Sequence, residues 1–376
     1  MSNYQDSAVG VLLLAFALSG ASLPAEELSP AASITGSKSM QATYEVDFRV
    51  AVTAPTGTKK LRVWMPLPNS DACQQISDRQ IETHPRLVEP KIATEAEYGN
   101  TFAYFEFDSP SGAQLITHRF KAQLQQLNWD VDYGEVIQPK RWPDSFAPFQ
   151  KADPRSTEGD QLRQVLTEID ASTGESSAPD RLIGAMQWVD KNLVYDHKVA
   201  SLSANPMHAM VHRRGHCSDY HGLCSTLARN VGYPSRVLYG LQMFDKGSPS
   251  HCKLEVFLPP YGWVSYDLSE TQKLAAKTAQ DESLDVTVRD AQVQQIKKRT
   301  MSGFRENTWL QVTRGVGYEL APRAENPISI VRTIYAEADG KPLVEPDPYT
   351  SSEFAWMTIH RVDLIDGVAK RFHELK

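Results

Sequence analysis

Cys217, in the stretch RRGHCSDYHGLCSTLARNVGYPSRVLYG, follows Gly215 closely and stands where a helical pattern begins. A thiol at a helix N-terminus feels the positive end of the backbone dipole and its unpaired N–H groups, which favour thiolate over thiol near neutral pH. Gly215 lets the chain turn tightly into that helix. A thiolate nucleophile needs an imidazole, first as its ion-pair partner and then to protonate a leaving amine. His251, 34 residues downstream at the start of a strand pattern, is the candidate. Asp267, a further 16 residues on in the next strand pattern, is the candidate to orient the ring and select its tautomer. The connection PPYG between those strands allows their opposite ends to meet. Cys217, His251 and Asp267 together suit acyl transfer through a covalent intermediate. Asp219, two residues after the cysteine, reads instead as a first-turn carboxylate that binds backbone donors.

The elements that must position these residues are legible as patterns. Helical periodicity appears in DQLRQVLTEID from Asp160 and in DRLIGAMQWVDKNLVY, where Asp180 is a plausible N-cap. A short helix is predicted through NPMHAMVHRR and a longer one from about Cys217 to Val231, ahead of Gly232 and Pro234. Short strands follow in RVLYGLQMF, CKLEVFL and GWVSYDL, and later in NTWLQVT and ISIVRTIYAEA. Upstream, TYEVDFRVAV, LRVWMPLP, TFAYFEF and AQLITHRFKAQL alternate as antiparallel strands of a β-sandwich. Residues 138–158 carry four prolines without periodicity and mark a linker or surface strap. The resulting division is a signal segment over 1–25, an N-terminal β-sandwich over 40–130, a linker over 131–158, a catalytic domain over 159–345 and a C-terminal tail over 346–376.

Three blocks resemble the transglutaminase-like superfamily in its bacterial cysteine-peptidase branch: DRLIGAMQWVDKNLVYD, RGHCSDYHGLCSTLARNVGYPSRVLYG and SHCKLEVFLPPYGWVSYDLSE. The resemblance implies an α+β, papain-like transglutaminase core in which a catalytic helix packs on an antiparallel sheet. It places the family's catalytic cysteine, histidine and aspartate on Cys217, His251 and Asp267. It also implies thiolate attack on an amide and a thioester resolved by water, as in a protease or amidase, or by an amine, as in crosslinking. Hydrolysis of a peptide or related amide is the expected outcome, with amine transfer or a non-catalytic binding module as alternatives. Cys252-Lys253 stand where the family usually has Ala-Trp, and Leu268 where it usually has proline. Cys252 should point away from Cys217, because strand neighbours face opposite ways. The N–H of Cys217 is a natural oxyanion donor, and Tyr195 or a residue near Asn205 is a candidate for the second. No organic cofactor is implied, and calcium enters by family analogy alone.

A metal site is the rival chemistry, since His208, His212, His216, Cys217 and His221 are dense in candidate ligands, but Gly215 interrupts their helical face. The other cysteines, Cys73, Cys224 and Cys252, could supply one disulfide, which the sequence does not choose. The net charge of -7 argues against a nucleic-acid partner, and the resemblance implies a protein, peptide or cell-wall peptide substrate. The apolar run AVGVLLLAFALSGA over 8–21 has the length of a secretory signal core, which predicts a periplasmic or secreted protein without a membrane span after processing.

Overall fold

Alternating burial defines the first layer. In β1 (Ser37–Thr53), Ala42, Tyr44, Val46, Phe48, Val50 and Val52 are buried at every second position, the period of a strand with one face on a core. The computed structural model describes residues 28–374 except 32, 33, 157, 158, 175, 246–248, 327, 348–350 and 352. The signal-like run over 8–21 lies outside the described residues. Five more strands follow: β2 (Lys60–Leu67), β3 (Gln74–His84), β4 (Lys91–Thr94), β5 (Thr101–Asp108) and β6 (Ala113–Asn128). Helices α1 (Ala147–Gln150), α2 (Asp160–Thr173) and α3 (Ala178–Asn192) lead to β7 (Val194–Tyr195), α4 (Pro206–His212), β8 (Arg214–Gly215) and α5 (Cys217–Asn230). Then come β9 (Ser235–Gln242), β10 (Ser250–Leu258), β11 (Gly262–Tyr266), α6 (Leu268–Ala279) and α7 (Val286–Met301). The chain closes with β12 (Phe304–Arg305), β13 (Trp309–Arg314), β14 (Tyr335–Ala338), β15 (Lys341–Pro342) and β16 (Trp356–Gly367).

The fold is α+β. Two five-stranded sheets, one ordered β12-β6-β1-β16 with β3 also on β6 and the other β15-β14-β2-β5-β4, share an apolar core that includes Val46, Val50, Val63, Phe105 and Phe120. A separate antiparallel sheet, β11-β10-β9-β13, carries α5 against one face. Tyr220, Leu223, Cys224 and Leu227 of α5 belong to the same core as Leu254 and Val256 of β10.

The layout departs from the expected division in two ways. The segment 346–376, read as a tail, contains β16, which pairs antiparallel along β1 from Val52↔Trp356 to Ala42↔Gly367 and satisfies backbone groups on that flank. With β14 on β2, strands from after the β11-β10-β9-β13 sheet complete sheets begun before it, so that sheet and its helices are set into the sandwich rather than appended to it. Of the two readings of the proline-rich stretch, the strap is the one observed: Trp142, Phe146 and Phe149 are buried edge-on against Phe257 of β10 or Trp263 of β11. At α3 the cap is Ser177, not Asp180. The Ser177 side chain accepts from Asp180 N–H, while the Asp180 carboxylate accepts from Ser177 N–H at 3.2 Å in a capping box.

Helix α5 packs unusually close to the loop before α4. A Cβ on Gly222 would lie 2.4 Å from the carbonyl oxygen of Ala204. Alanine is the better helix former by about 1 kcal/mol, but it has no room here. Gly222→Ala is therefore expected to lower stability by about 1–3 kcal/mol, read from the denaturant midpoint, and a stabilised variant would show that this approach is loose.

Candidate active site

The cysteine is set by the start of α5. His216 is the N-cap, its Nδ1 accepting from Ser218 N–H at 3.3 Å, and Asp219 completes the box by accepting from His216 N–H at 3.1 Å. Asp219 also takes the N–H of Ser201 at 3.2 Å and a hydrogen bond from the Ser201 hydroxyl. It thus fills the first-turn, backbone-binding place expected of it. Gly215 is required because a Cβ there would sit 2.5 Å from the Asp219 carboxylate. Cys217 occupies the first helical position, where its N–H has no carbonyl within the helix to bond.

The histidine and the carboxylate are brought to this point by β10 and by the turn from β11 into α6. His251 is the second residue of β10, and its backbone carbonyl accepts from Trp309 Nε1 at 3.1 Å. Asp267 follows β11 and is the N-cap of α6. Its Oδ1 accepts from Glu270 N–H at 3.0 Å and from the Ser269 hydroxyl at 3.1 Å. Its Oδ2 accepts from His251 Nε2 at 2.6 Å and from Lys253 Nζ at 2.7 Å. With Nε2 committed to the carboxylate, Nδ1 of His251 is left to face Cys217. Cys217, His251 and Asp267, apart in sequence, thus meet in one buried place.

The local charges reinforce one another. A hydrogen bond from Cys252 is the largest influence on the Cys217 thiol. Together with His216 and His251 it overrides burial and holds the thiol well below its usual range. For His251, burial opposes the charged form, but Asp267 and the Cys217 thiolate raise the imidazole to about 10. Burial likewise opposes ionisation of Asp267, yet Lys253, then His251 and His221, hold it well below the usual carboxylate range. The arrangement can keep a thiolate beside an imidazolium, which is the resting state of a nucleophilic cysteine that attacks carbonyl carbon.

Lys253 and His221 were not foreseen as parts of this site, and Cys252 was misplaced. Cys252 does not turn away from Cys217: both pack with Val237 and Tyr239 in one buried cluster. Strand alternation is kept, but α5 covers the face that carries Cys252, Leu254 and Val256, so His251 reaches the sulfur from the beginning of the strand. Lys253 is fully buried, bridging Asp267 and Glu306 Oε2, the latter at 3.0 Å. Its spacing of two from His251 was the available signal. His221, four residues after Cys217 on the same helix face, contacts both Cys252 and Asp267.

The remaining candidates disperse. His208 Nε2 lies 2.5 Å from the carbonyl of Val199 and its ring packs on His212, while His216 caps α5. Among the described residues no group of three or more His, Cys, Asp or Glu is placed to hold a metal ion. Asn205 spends its side-chain oxygen on the N–H groups of Met207 and His208 as cap of α4. Tyr195 lies near enough to Cys217 that, after burial, the thiolate charge helps to push its phenol up. All four cysteines are free and buried. Beside the cluster, a cavity of about 460 Å³ is lined by Arg155, Arg229, Val316, Tyr318 and Leu320, and Val316 also packs against the Cys217 cluster.

Comparison with known proteins agrees with this layout. The family model described as the transglutaminase-like superfamily matches residues 163–268. An uncharacterised protein of Haemophilus influenzae is 23% identical over 349 residues, covering 81% of this chain and 88% of its own. A Cytophaga hutchinsonii crystal structure, of a protein proposed to be a cysteine protease, superposes with a TM-score of 0.51 at 13% identity over 86% of this chain and 99% of that one. The periplasmic domain of TgpA from Pseudomonas aeruginosa aligns with a TM-score of 0.31 at 14% identity over 64% of this chain and 96% of that one. The helix of Cys217, the strand of His251 and the turn of Asp267 all lie within residues 163–268, the stretch that matches the family model of the transglutaminase-like superfamily.

Proposed function

We propose that this protein is a cysteine-dependent acyl-transfer enzyme that hydrolyses a peptide or related amide. The observation that carries the reading is the pairing of His251 Nε2 with Asp267 at 2.6 Å, which fixes the ring so that Nδ1 serves a thiol already held as thiolate. In this mechanism the Cys217 thiolate adds to the amide carbonyl. The resulting oxyanion is held by the Cys217 N–H at the start of α5, with Tyr195 the better placed second donor. His251, as imidazolium, gives its Nδ1 proton to the departing amine, and the C–N bond breaks to leave a thioester. The now neutral ring removes a proton from water, whose attack releases the acid and restores thiolate and imidazolium. Asp267 orients the ring throughout. The apolar run over 8–21 supports export, so that a peptide outside the cytoplasm is the substrate class.

The test is to trap the acyl-enzyme by intact-mass measurement with a panel of peptide and cell-wall amides, then follow its decay in water and with added primary amine. Thioester formation followed by release of free acid is expected. Acceptance of amine in preference to water would replace hydrolysis by crosslinking, and absence of acylation across the panel would favour a binding module.

The charge pair also sets a pH dependence. A raised His251 contributes stability that is fully present below its ordinary pKa and is lost as pH rises through about 10. The imidazolium needed for amine departure is lost over the same range, so acylation is expected to fall on the alkaline side near pH 10. Asp267→Asn removes the charge that sustains the imidazolium, and the alkaline limb should move toward neutrality. A limb that stays in place in that variant would remove Asp267 from its orienting role.

A further inference from the structure

Two buried groups beside the nucleophile lie outside the triad, and the direction of their hydrogen bonds is fixed. The N–H of Leu268 can only donate, and it meets Nε2 of His221 at 3.2 Å. Nε2 therefore carries the lone pair, and in the neutral ring Nδ1 carries the proton. Burial keeps this ring neutral, its pKa lowered to about 4, although Asp267 Oδ1 stands 3.6 Å away. Nδ1 lies 3.4 Å from Cys252 Sγ, so the imidazole donates to sulfur. A sulfur that accepts there keeps its own S–H to give, and Cys252 shares the closed cluster of Cys217, Val237 and Tyr239. Residue 268 is where the resemblance leads one to expect proline, which has no N–H; leucine supplies the donor that starts the chain.

We propose that Cys252 and His221 are positioning residues of a one-way donor relay, Leu268 N–H to His221, His221 Nδ1–H to Cys252 and Cys252 S–H to Cys217, which holds the nucleophile as a thiolate before substrate arrives. The proposal rests on reading Cys217 as the nucleophile. No proton changes owner along the relay; each stays on its own heavy atom, and Cys252 remains a thiol because burial and the neighbouring negative sulfur both oppose its ionisation. The relay complements the triad. His251 must leave the thiolate's side to protonate an amine, whereas the Cys252 donor stays in place when the thiolate is regenerated.

The same sulfur is faced by His216 from the cap of α5, His251 from β10, Tyr195 from β7, Tyr239 from β9 and Arg332 from the segment after β13. Asp219 and Asp267 act on Cys252, and Asp267 and Lys253 on His221. A substitution at 252 leaves all of these present, so a change in thiol acidity isolates the relay.

The experiment measures the pH midpoint of Cys217 ionisation in the full chain under reducing conditions. It uses site-resolved alkylation by iodoacetamide and, independently, ultraviolet thiolate absorbance relative to Cys217→Ala. Cys252→Ala should raise the midpoint by about one to two pH units, with alkylation below the wild-type midpoint falling about ten- to a hundredfold. Cys252→Ser, whose hydroxyl can both accept from His221 and donate to Cys217, should keep a midpoint near that of wild type. An unchanged midpoint in a natively melting Cys252→Ala protein overturns the relay. An equal rise in the serine variant, or a rise seen only where the melt is lost, shows that packing rather than a donor matters and overturns it as well. Neither readout needs a substrate. A low wild-type midpoint without amide hydrolysis would sink the proposed function and leave the relay standing, whereas hydrolysis with an unmoved midpoint would do the reverse.

Discussion

Alanine at position 217 is expected to abolish acyl-enzyme formation and to reduce amide hydrolysis by about 10³-fold or more. The size of the loss follows from the order of events. Without sulfur there is no thioester, and His251 and Asp267, however well oriented, have only water to activate against an unpolarised amide. Oxyanion stabilisation and binding remain, so a residue of catalysis above the solvent rate is expected rather than zero. The fold should be little affected, since Cys217 is the outermost member of its cluster, 8% exposed while Cys252 is 0% exposed. Intact-mass trapping and kcat/KM on the same substrate give the two readouts, with the melt as control. Acylation that survives the substitution would move the nucleophile elsewhere, and Cys224 and Cys73 are poor replacements because burial pushes both thiols up, Cys73 to about 11.

Lys253→Met is expected to be the most destabilising single change at the site, by about 3–5 kcal/mol. The lysine is wholly buried, and burial alone would favour its neutral form. Asp267 and Glu306 reverse that and keep it charged. Removing it leaves two carboxylates in a place without solvent, one of them still bonded to His251. Cost on this scale reflects the stranded charges more than the lost attraction. The double variant Lys253→Met/Glu306→Gln should therefore recover part of the loss. Chemical denaturation of the single and double variants decides the matter. A single variant within about 1 kcal/mol of wild type would mean that water or a shifted proton relieves the carboxylates.

How much of this could be read beforehand depended on how local each determinant is. Helix α5 carries its own signals: Gly215 ahead, a first-turn acid at Asp219, and a stop at Gly232 and Pro234. The strands flanking PPYG are also self-declaring, which placed Cys217 at a helix start and His251 on a strand; Asp267, expected within the second strand, instead follows β11 as the N-cap of α6, a helix the sequence reading did not include. By contrast α7 buries only Ile296 and Thr300, so no apolar stripe announces it. Strand β16 owes its place to β1, more than three hundred residues earlier, and nothing nearby in sequence encodes that register. The orientation of Cys252 turned on which face of β10 a helix would cover, a tertiary choice that alternation alone leaves open.

The divided loyalty of Asp267 has an evolutionary consequence. One of its oxygens starts α6 while the other holds the imidazole and the buried lysine. A lineage that no longer needed the reaction could lose Cys217 in one step with little structural penalty, but not Asp267. Inactive descendants should therefore keep the aspartate, histidine and lysine as fossils of the chemistry, and the identity of residue 217 alone would separate working from retired copies.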